Sequence, residues 1–323
     1  MSVTTDFAVE QFLKHKRALG RKYRSEEREL RLLVRFVEER GVATLEHLTP
    51  AELDHFFASR PRIRPRSFNH LVGVVRCLLN WAVAQQLLKT SPLRTRKRRV
   101  TTARVPFIFD QAQARQLLAA AANLPDNNRG LGRGPTHRTL FALCYGLGLR
   151  AGEACGLHVG DVDLDASILV VRGGKFGKSR LVPFGPQVGQ LLAEHVERRR
   201  GAAGPALEAQ SPLFTFDGRR SVHPGTLSQT FHHVVATLDL PMRDGVAPPR
   251  LHDLRHSFAV GRLLRWYREG ENPSTRLLQL STFLGHVDPA STAVYLMMTP
   301  ELLEAANRRF EAFAPSMNEE VRL

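Results

Sequence analysis

Apolar positions recur at helical spacing along most of the chain. Leu30, Leu33 and Val37 share one face of a helix. Thr49, Pro50 and Glu52 set out an N-cap, a first-turn proline and a capping-box carboxylate ahead of Leu53, Phe56 and Phe57. Phe68, Leu71, Val75, Leu78 and Trp81 carry a further helix to Ala82. About four such helices predict a small all-helical domain over residues 1–90. Lys89, Thr90, Ser91 and Pro92 then break the period, so residues 91–105 read as a linker.

A second domain is predicted over residues 106–323. Asp110 stands as N-cap for a helix over 111–124, with Gln113 at the capping-box position. Helical periods follow at 136–148 and 150–157. The texture changes at 168–171 and 179–184, short strand-like runs on either side of a glycine-rich stretch, which read as a hairpin. Helical spacing resumes at 187–199, 226–238, 252–266, 274–285 and 291–296, with a last segment near 300–313. Residues 200–225 and 239–250, rich in Gly and Pro, read as loops, and no internal repeat occurs. The expected class is mainly α, with a small antiparallel sheet in the second domain (α+β).

Composition narrows the function. The chain has 323 residues, 43% of them hydrophobic, enough for two real cores, and this excludes a disordered polyampholyte. Its formal charge is +15 and its pI about 10.7, which points to a polyanionic partner. Residues 1–103 hold 21 Lys and Arg against 10 Asp and Glu, whereas 104–323 carry 25 against 21, so the electrostatic hand is the first third. Within it, Arg62, Arg64 and Arg66 form one basic cluster. Arg94, Arg96, Lys97, Arg98 and Arg99 form a second, read as a flexible cationic strap for DNA. Cys77, Cys144 and Cys155 lie in apolar helical patterns without a CxxC pair, and read as buried free thiols rather than a disulfide scaffold. The N-terminus lacks the pattern of a signal peptide, and no long uncharged apolar run occurs, so a soluble cytoplasmic protein is expected, with no membrane partner.

Several short motifs carry candidate chemistry. Gly177-Lys178-Ser179 fails as a phosphate loop, because Arg172 occupies the place of the first glycine and a strand follows instead of a helix. His252 and His256 stand four apart, as in a zinc-binding HExxH, but Asp253 is a methylene shorter than the required glutamate and no third ligand follows at a familiar spacing. Arg150 and Glu153 sit one turn apart in LRAGE. His286 closes LGH, and Tyr295 follows nine residues later.

Taken in order, Arg150 in LRAGE, Lys175 on a hairpin ending in RLVP, His252 and Arg255 in LHDLRHSFA, His286 in LGH, and Tyr295 closely resemble the catalytic domain of tyrosine recombinases, the phage-integrase family. The match covers roughly residues 105–313, and the basic helical domain before it resembles the family's core-binding (SAM-like) domain, as in simple Xer-like members.

The resemblance implies a site-specific DNA recombinase. Arg150 and Arg255 would clamp the scissile phosphate, since a planar guanidinium donates two bonds at once. His286 would add a further donor, Lys175 would protonate the leaving 5′-oxygen, and His252 would accept the proton of Tyr295. Only about 0.1% of an unperturbed tyrosine is phenolate at pH 7, so the nucleophile needs such help. Attack leaves a 3′-phosphotyrosine and a free 5′-hydroxyl, with neither metal nor cofactor required. Glu153 is expected to orient Arg150, His256 to pack behind the Arg255 helix, and Lys178 and Arg180 to touch backbone phosphates. The expected partners are double-stranded DNA and further copies of the chain, a tetramer on two sites, with a partner recombinase or accessory protein as an option. An apolar stripe of Leu303, Ala306, Phe310 and Phe313 would either pack on its own domain or, as the resemblance favours, dock on a neighbouring copy. The alternatives are a DNA-binding relative that is silent or partner-dependent, and a type IB topoisomerase-like enzyme that nicks and religates one duplex.

Overall fold

The computed structural model describes residues 3–42, 44–100, 104–128, 130–173, 179–203, 207–271, 273–286 and 290–297, with 304, 307 and 308. The expected helix near 300–313, apart from those three residues, lies outside the described residues, as do Lys175 and Lys178. The chain divides into two units, Met1–Ala103 and Arg104–Leu323.

The first unit packs α1 (Thr5–Ala18), α2 (Arg24–Glu39), α3 (Pro50–Ser59) and α4 (Pro65–Ala84) around one core. Thr4 caps α1 through the Phe7 N–H at 3.2 Å, and Thr49 caps α3 through the Glu52 N–H at 3.2 Å. The Glu52 carboxylate does not close the expected capping box. It is drawn instead to Arg40 Nε at 2.7 Å, where it pairs with a charge. Phe12, Leu30, Leu33, Phe56, Leu71, Val75 and Leu78 are fully buried, each such side chain contributing about 1.5–3 kcal/mol of transfer free energy. Cys77 differs from its expected burial: it is exposed on α4, off the stripe formed by Leu71, Val75 and Leu78.

Residues 91–100 are not a free strap. Thr95 bonds to Asp54 Oδ1 at 2.8 Å, and its carbonyl accepts from Arg76. Asn69 closes a two-bond ring with the Arg98 backbone, at 2.8 and 2.7 Å. The Arg98 guanidinium lies 3.9 Å from the Phe68 ring centroid and bonds to the Arg62 carbonyl. The amide and aromatic partners on α4 were hidden because nothing in a basic run announces them. The two basic clusters, remote in sequence, therefore meet at the start of α4.

The second unit begins with an extended segment whose Phe107 and Phe109 rings pack edge to face 4.8 Å apart. The Asp110–Gln113 capping box then starts α5 (Gln111–Ala122). Helix α6 (Arg133–Gly146) is buried over most of its length, and the chain turns two residues after it at Gly148. Gly148 has φ +62°, and a Cβ there would stand 2.7 Å from Phe258 and 2.8 Å from Leu284, so only glycine lets the chain turn into α7 (Ala151–Cys155). Strands β1 (Val162–Asp163), β2 (Ile168–Val171) and β3 (Arg180–Pro183) form an antiparallel sheet in that order, with Leu169 opposite Val182 and Val171 opposite Arg180. The two-residue β1 is too short to show a period and was not anticipated. Helices α8 (Pro186–Ala203), α9 (Pro224–Val235), α10 (Asp253–Arg268), α11 (Pro273–Leu284) and α12 (Ala290–Ala293) follow, the last continuing into a 3₁₀ turn, Val294–Met297. The class is mainly helical with a small antiparallel sheet, as the sequence predicts.

Candidate active site

Four elements of the second unit converge on one basin. Arg150 is the N-cap of α7, His252 the N-cap of α10, and Arg255 and His256 lie in the first turn of α10. His286 follows the end of α11, and Tyr295 lies on the 3₁₀ turn after α12.

Glu153 organises the arginines. It is 5% exposed and accepts from the Arg150 N–H (2.9 Å), Arg150 Nη1 (2.6 Å), Arg180 Nη1 (3.1 Å) and Arg180 Nη2 (2.9 Å). Arg150 also donates to the Gly285 carbonyl at 3.2 Å, which ties α7 to the turn behind α11. That turn has its own glycine requirement: Gly285 has φ +66°, and a Cβ would stand 2.9 Å from Arg180.

Arg180 corrects an expectation. It was read as a phosphate contact, but its side chain is 12% exposed, forked onto Glu153, with Nε on the Phe283 carbonyl at 2.9 Å. Its position on β3 directs it inward, and a buried guanidinium goes where a carboxylate and a free carbonyl are available.

Arg255 is 1% exposed and donates to two backbone carbonyls, Gly148 at 2.6 Å and Leu284 at 2.7 Å. These bonds aim the guanidinium by both loops at once. Burial first, then the charge of Arg150, holds it down to about 10.

Tyr295 is 3% exposed, and its ring stacks near His286 at 6.3 Å between centroids. His286 is fixed in turn by Thr292 Oγ1 at 2.7 Å from Nδ1. The Tyr295 hydroxyl lies 3.2 Å from His256 Nδ1. The imidazole that meets the phenol is therefore that of His256, one turn beyond His252, and not the expected one. His252 packs edge to face on His256, 4.8 Å away. Burial raises the Tyr295 pKa above its ordinary value, while the neighbouring charge and hydrogen bond of Arg255 oppose that rise. Burial, then Arg255 and Arg150, pushes His286 down to about 4. Desolvation of its ring, then the charges of His256 and Arg255, pushes His252 down to about 4. All three histidines are lowered, so each is neutral at pH 7 and can exchange hydrogen bonds without adding charge.

Two further side chains support this frame and were missed in the sequence. Asp253 is 1% exposed and takes a two-pronged bond from Arg104, at 2.8 and 2.7 Å. Ser257 links the Asp253 carbonyl (2.7 Å) to the Phe109 N–H (2.8 Å). The zinc reading of His252 and His256 finds no third ligand: among the described residues no group of three or more His, Cys, Asp or Glu is gathered to hold a metal.

Comparison with known proteins decides the family. The model of the phage integrase family matches residues 108–301. The chain is 37% identical over 308 residues to the integrase/recombinase y4rB of Sinorhizobium fredii, covering 94% of this chain and 96% of that protein. The chain belongs to the phage integrase family. It is also 30% identical over 277 residues to the tyrosine recombinase XerD of Ralstonia nicotianae, covering 85% and 83%. Among solved structures, a lambda integrase dimer bound to a core site shares the fold, with TM-score 0.64, 18% identity and coverage of 92% and 78%. Family membership makes this protein a tyrosine-type site-specific DNA recombinase.

In the first unit, Arg64, Arg66, Arg94, Arg96, Lys97, Arg98 and Arg99 are exposed. Arg62 is partly covered and paired with Glu29 at 2.8 Å. Among the described residues no helix is long and apolar enough to cross a membrane.

One prediction follows from Glu153. Burial alone would raise its pKa, but the bonds from Arg180 and Arg150 outweigh it and hold the carboxyl down to about 2, against 4.5 for a free one. The stabilisation is therefore fully present above pH 4.5 and lost as the pH falls towards 2, a contribution of roughly 3 kcal/mol. Urea melts of the wild type and Glu153→Gln between pH 6 and 2 should converge as the pH falls, the wild type losing the larger share. Parallel curves would assign the acid transition to other carboxyls.

Proposed function

We propose that this integrase cuts one DNA strand by attack of Tyr295 on a phosphodiester, leaving a 3′-phosphotyrosine and a free 5′-hydroxyl that can be rejoined to a new partner. The observation that carries this reading is the placing of the Tyr295 hydroxyl between the Arg255 guanidinium and His256, in the basin that Arg150 and His286 line.

The basin is built for a negative phosphate. Arg150 and Arg255 hold fixed positive charge, and their bonds to Glu153, Gly285, Gly148 and Leu284 set them before any substrate arrives. Donors held in place where charge develops act without reorganising, which is the main source of electrostatic catalysis. His286 and His252, neutral at pH 7, offer N–H groups to the non-bridging oxygens. The charge of the clamp comes from side chains, so the step as proposed draws on no metal and no nucleotide. Lys175 is assigned the proton for the leaving 5′-oxygen, on the strength of its motif position alone.

The exposed arginines of the first unit would track DNA backbone phosphates. Each neutralised phosphate releases counterions, so affinity comes with little sequence content. Joining two duplexes requires four strand cuts, one active site for each, and a tetramer on two sites is the assembly proposed. The lambda integrase dimer on its core site is a precedent for copies meeting on DNA. A DNA substrate also places the work in the cytoplasm. A partner recombinase or accessory protein would add to this assembly without altering the chemistry.

The test is a nicked suicide duplex incubated with the protein in EDTA, followed by denaturing electrophoresis and peptide mapping. A covalent adduct on the peptide carrying Tyr295 is expected. An adduct at another residue, or one formed only when a divalent metal is restored, overturns the reading.

A further inference from the structure

A buried tyrosine cannot attack until its proton has somewhere to go. The hydroxyl of Tyr295 has His256 Nδ1 at 3.2 Å, within the reach a general base requires. The two rings are tilted at 59° with centroids 5.4 Å apart, so the contact is made at the ring edge, where the nitrogen lone pair lies. We propose that His256, through Nδ1, takes the proton of Tyr295 in cleavage and returns it in rejoining. This rests on the reading of Tyr295 as the nucleophile.

The surroundings suit an acceptor. Around the His256 ring stand Asp253, His252 and Arg255 from its own helix, Arg104 from the segment ahead of α5, and Tyr295 from the 3₁₀ turn. Asp253 would favour a protonated imidazole, but its carboxylate is already engaged by both prongs of Arg104. Arg104, and after it Arg255, add like charge. Burial, the largest influence, acts in the same sense, so the ring rests neutral, and in the tautomer protonated at Nε2 its Nδ1 accepts from the Tyr295 hydroxyl. His252 is set edge to face on this ring and opens more to solvent, which leaves it for the phosphate or the leaving oxygen.

The step balances. The Tyr295 O–H bond breaks and its proton passes to Nδ1. The electron pair left on the phenolic oxygen forms the bond to phosphorus. The bond from phosphorus to the 5′-oxygen breaks, its pair stays on that oxygen, and the proposed acid Lys175 protonates it. In rejoining, the imidazolium of His256 returns its proton to the departing phenolate.

The test compares wild type, His256→Asn and His256→Ala in single-turnover cleavage of the suicide duplex, with DNA affinity measured alongside as the check on folding. Asparagine places an acceptor oxygen near the position of Nδ1 but cannot take a proton. Both variants are expected to cleave about 10²–10⁴-fold more slowly, the usual span for a lost general base, with DNA affinity within twofold of wild type. Added imidazole should restore His256→Ala in proportion to the basicity of the imidazole used, which cavity filling alone does not produce. A duplex with a 5′-bridging phosphorothiolate needs no acid for its leaving group, so it should leave the His256 defect in place. Cleavage by His256→Asn within threefold of wild type, or full recovery of either variant on the phosphorothiolate, overturns the proposal while the Tyr295 adduct still stands. Failure of the wild type to form the adduct removes the parent reading instead.

Discussion

Tyr295→Phe is expected to abolish the covalent protein–DNA product while leaving the protein folded and bound to DNA. The ring of Tyr295 is 3% exposed and belongs to the buried cluster of Phe258, Leu263, Leu280 and Leu284, and phenylalanine keeps all of that surface. What is lost is one hydroxyl with its bonds to His256 and Arg255, about 1 kcal/mol net. The chemical loss is of a different order. On the proposed mechanism the phenolic oxygen is what forms the link to phosphorus, and removing the nucleophile of a catalytic unit costs on the order of 10⁶-fold. A denaturing gel on the suicide duplex measures the first effect and a thermal melt the second. A residual adduct in Tyr295→Phe would show that another residue is the nucleophile. Loss of folding would show instead that the hydroxyl holds the 3₁₀ turn in place.

How far the chain could be read in advance depended on distance along it. The capping box of Asp110 and Gln113 closes within one turn, and so does the pairing of Arg150 with Glu153, so local spacing revealed both. The β2–β3 pairing was legible because two short apolar runs flank a glycine-rich stretch. The pairings that complete the site span much longer separations: Arg180 to Glu153 across 27 residues, His256 to Tyr295 across 39, and Arg104 to Asp253 across 149. Periodicity says which face of an element is buried, but not which polar group will be waiting there. Arg180 was therefore placed at the surface by its charge, and His256 was assigned a packing role by its neighbour. The same blindness applied to residues 91–100, whose partners Asn69 and Phe68 lie on α4. The comparisons show the family, while the proposed proton route rests on the geometry of His256 and Tyr295.

Arg255 carries the second large effect, and there stability and catalysis separate. At 1% exposure, its guanidinium is the partner of two buried carbonyls, Gly148 and Leu284. Arg255→Ala orphans both, at about 1–3 kcal/mol each, and opens a cavity beside them. Relief of repulsion with Arg150 returns part of that loss, so a net destabilisation of about 3–5 kcal/mol is expected, seen as a lowered urea midpoint. Cleavage should fall at least 10²–10³-fold, the cost of one preorganised donor at a developing charge, and further because Tyr295 loses the cation that opposes its raised pKa. Arg255→Lys separates charge from shape. A single ammonium keeps the positive charge but cannot hold two carbonyls and fork onto a phosphate at once. It should recover most of the stability while cleavage stays about 10²-fold down. Cleavage by Arg255→Lys within tenfold of wild type would mean that charge alone suffices, and that the two loops clasping the guanidinium serve only to hold the fold.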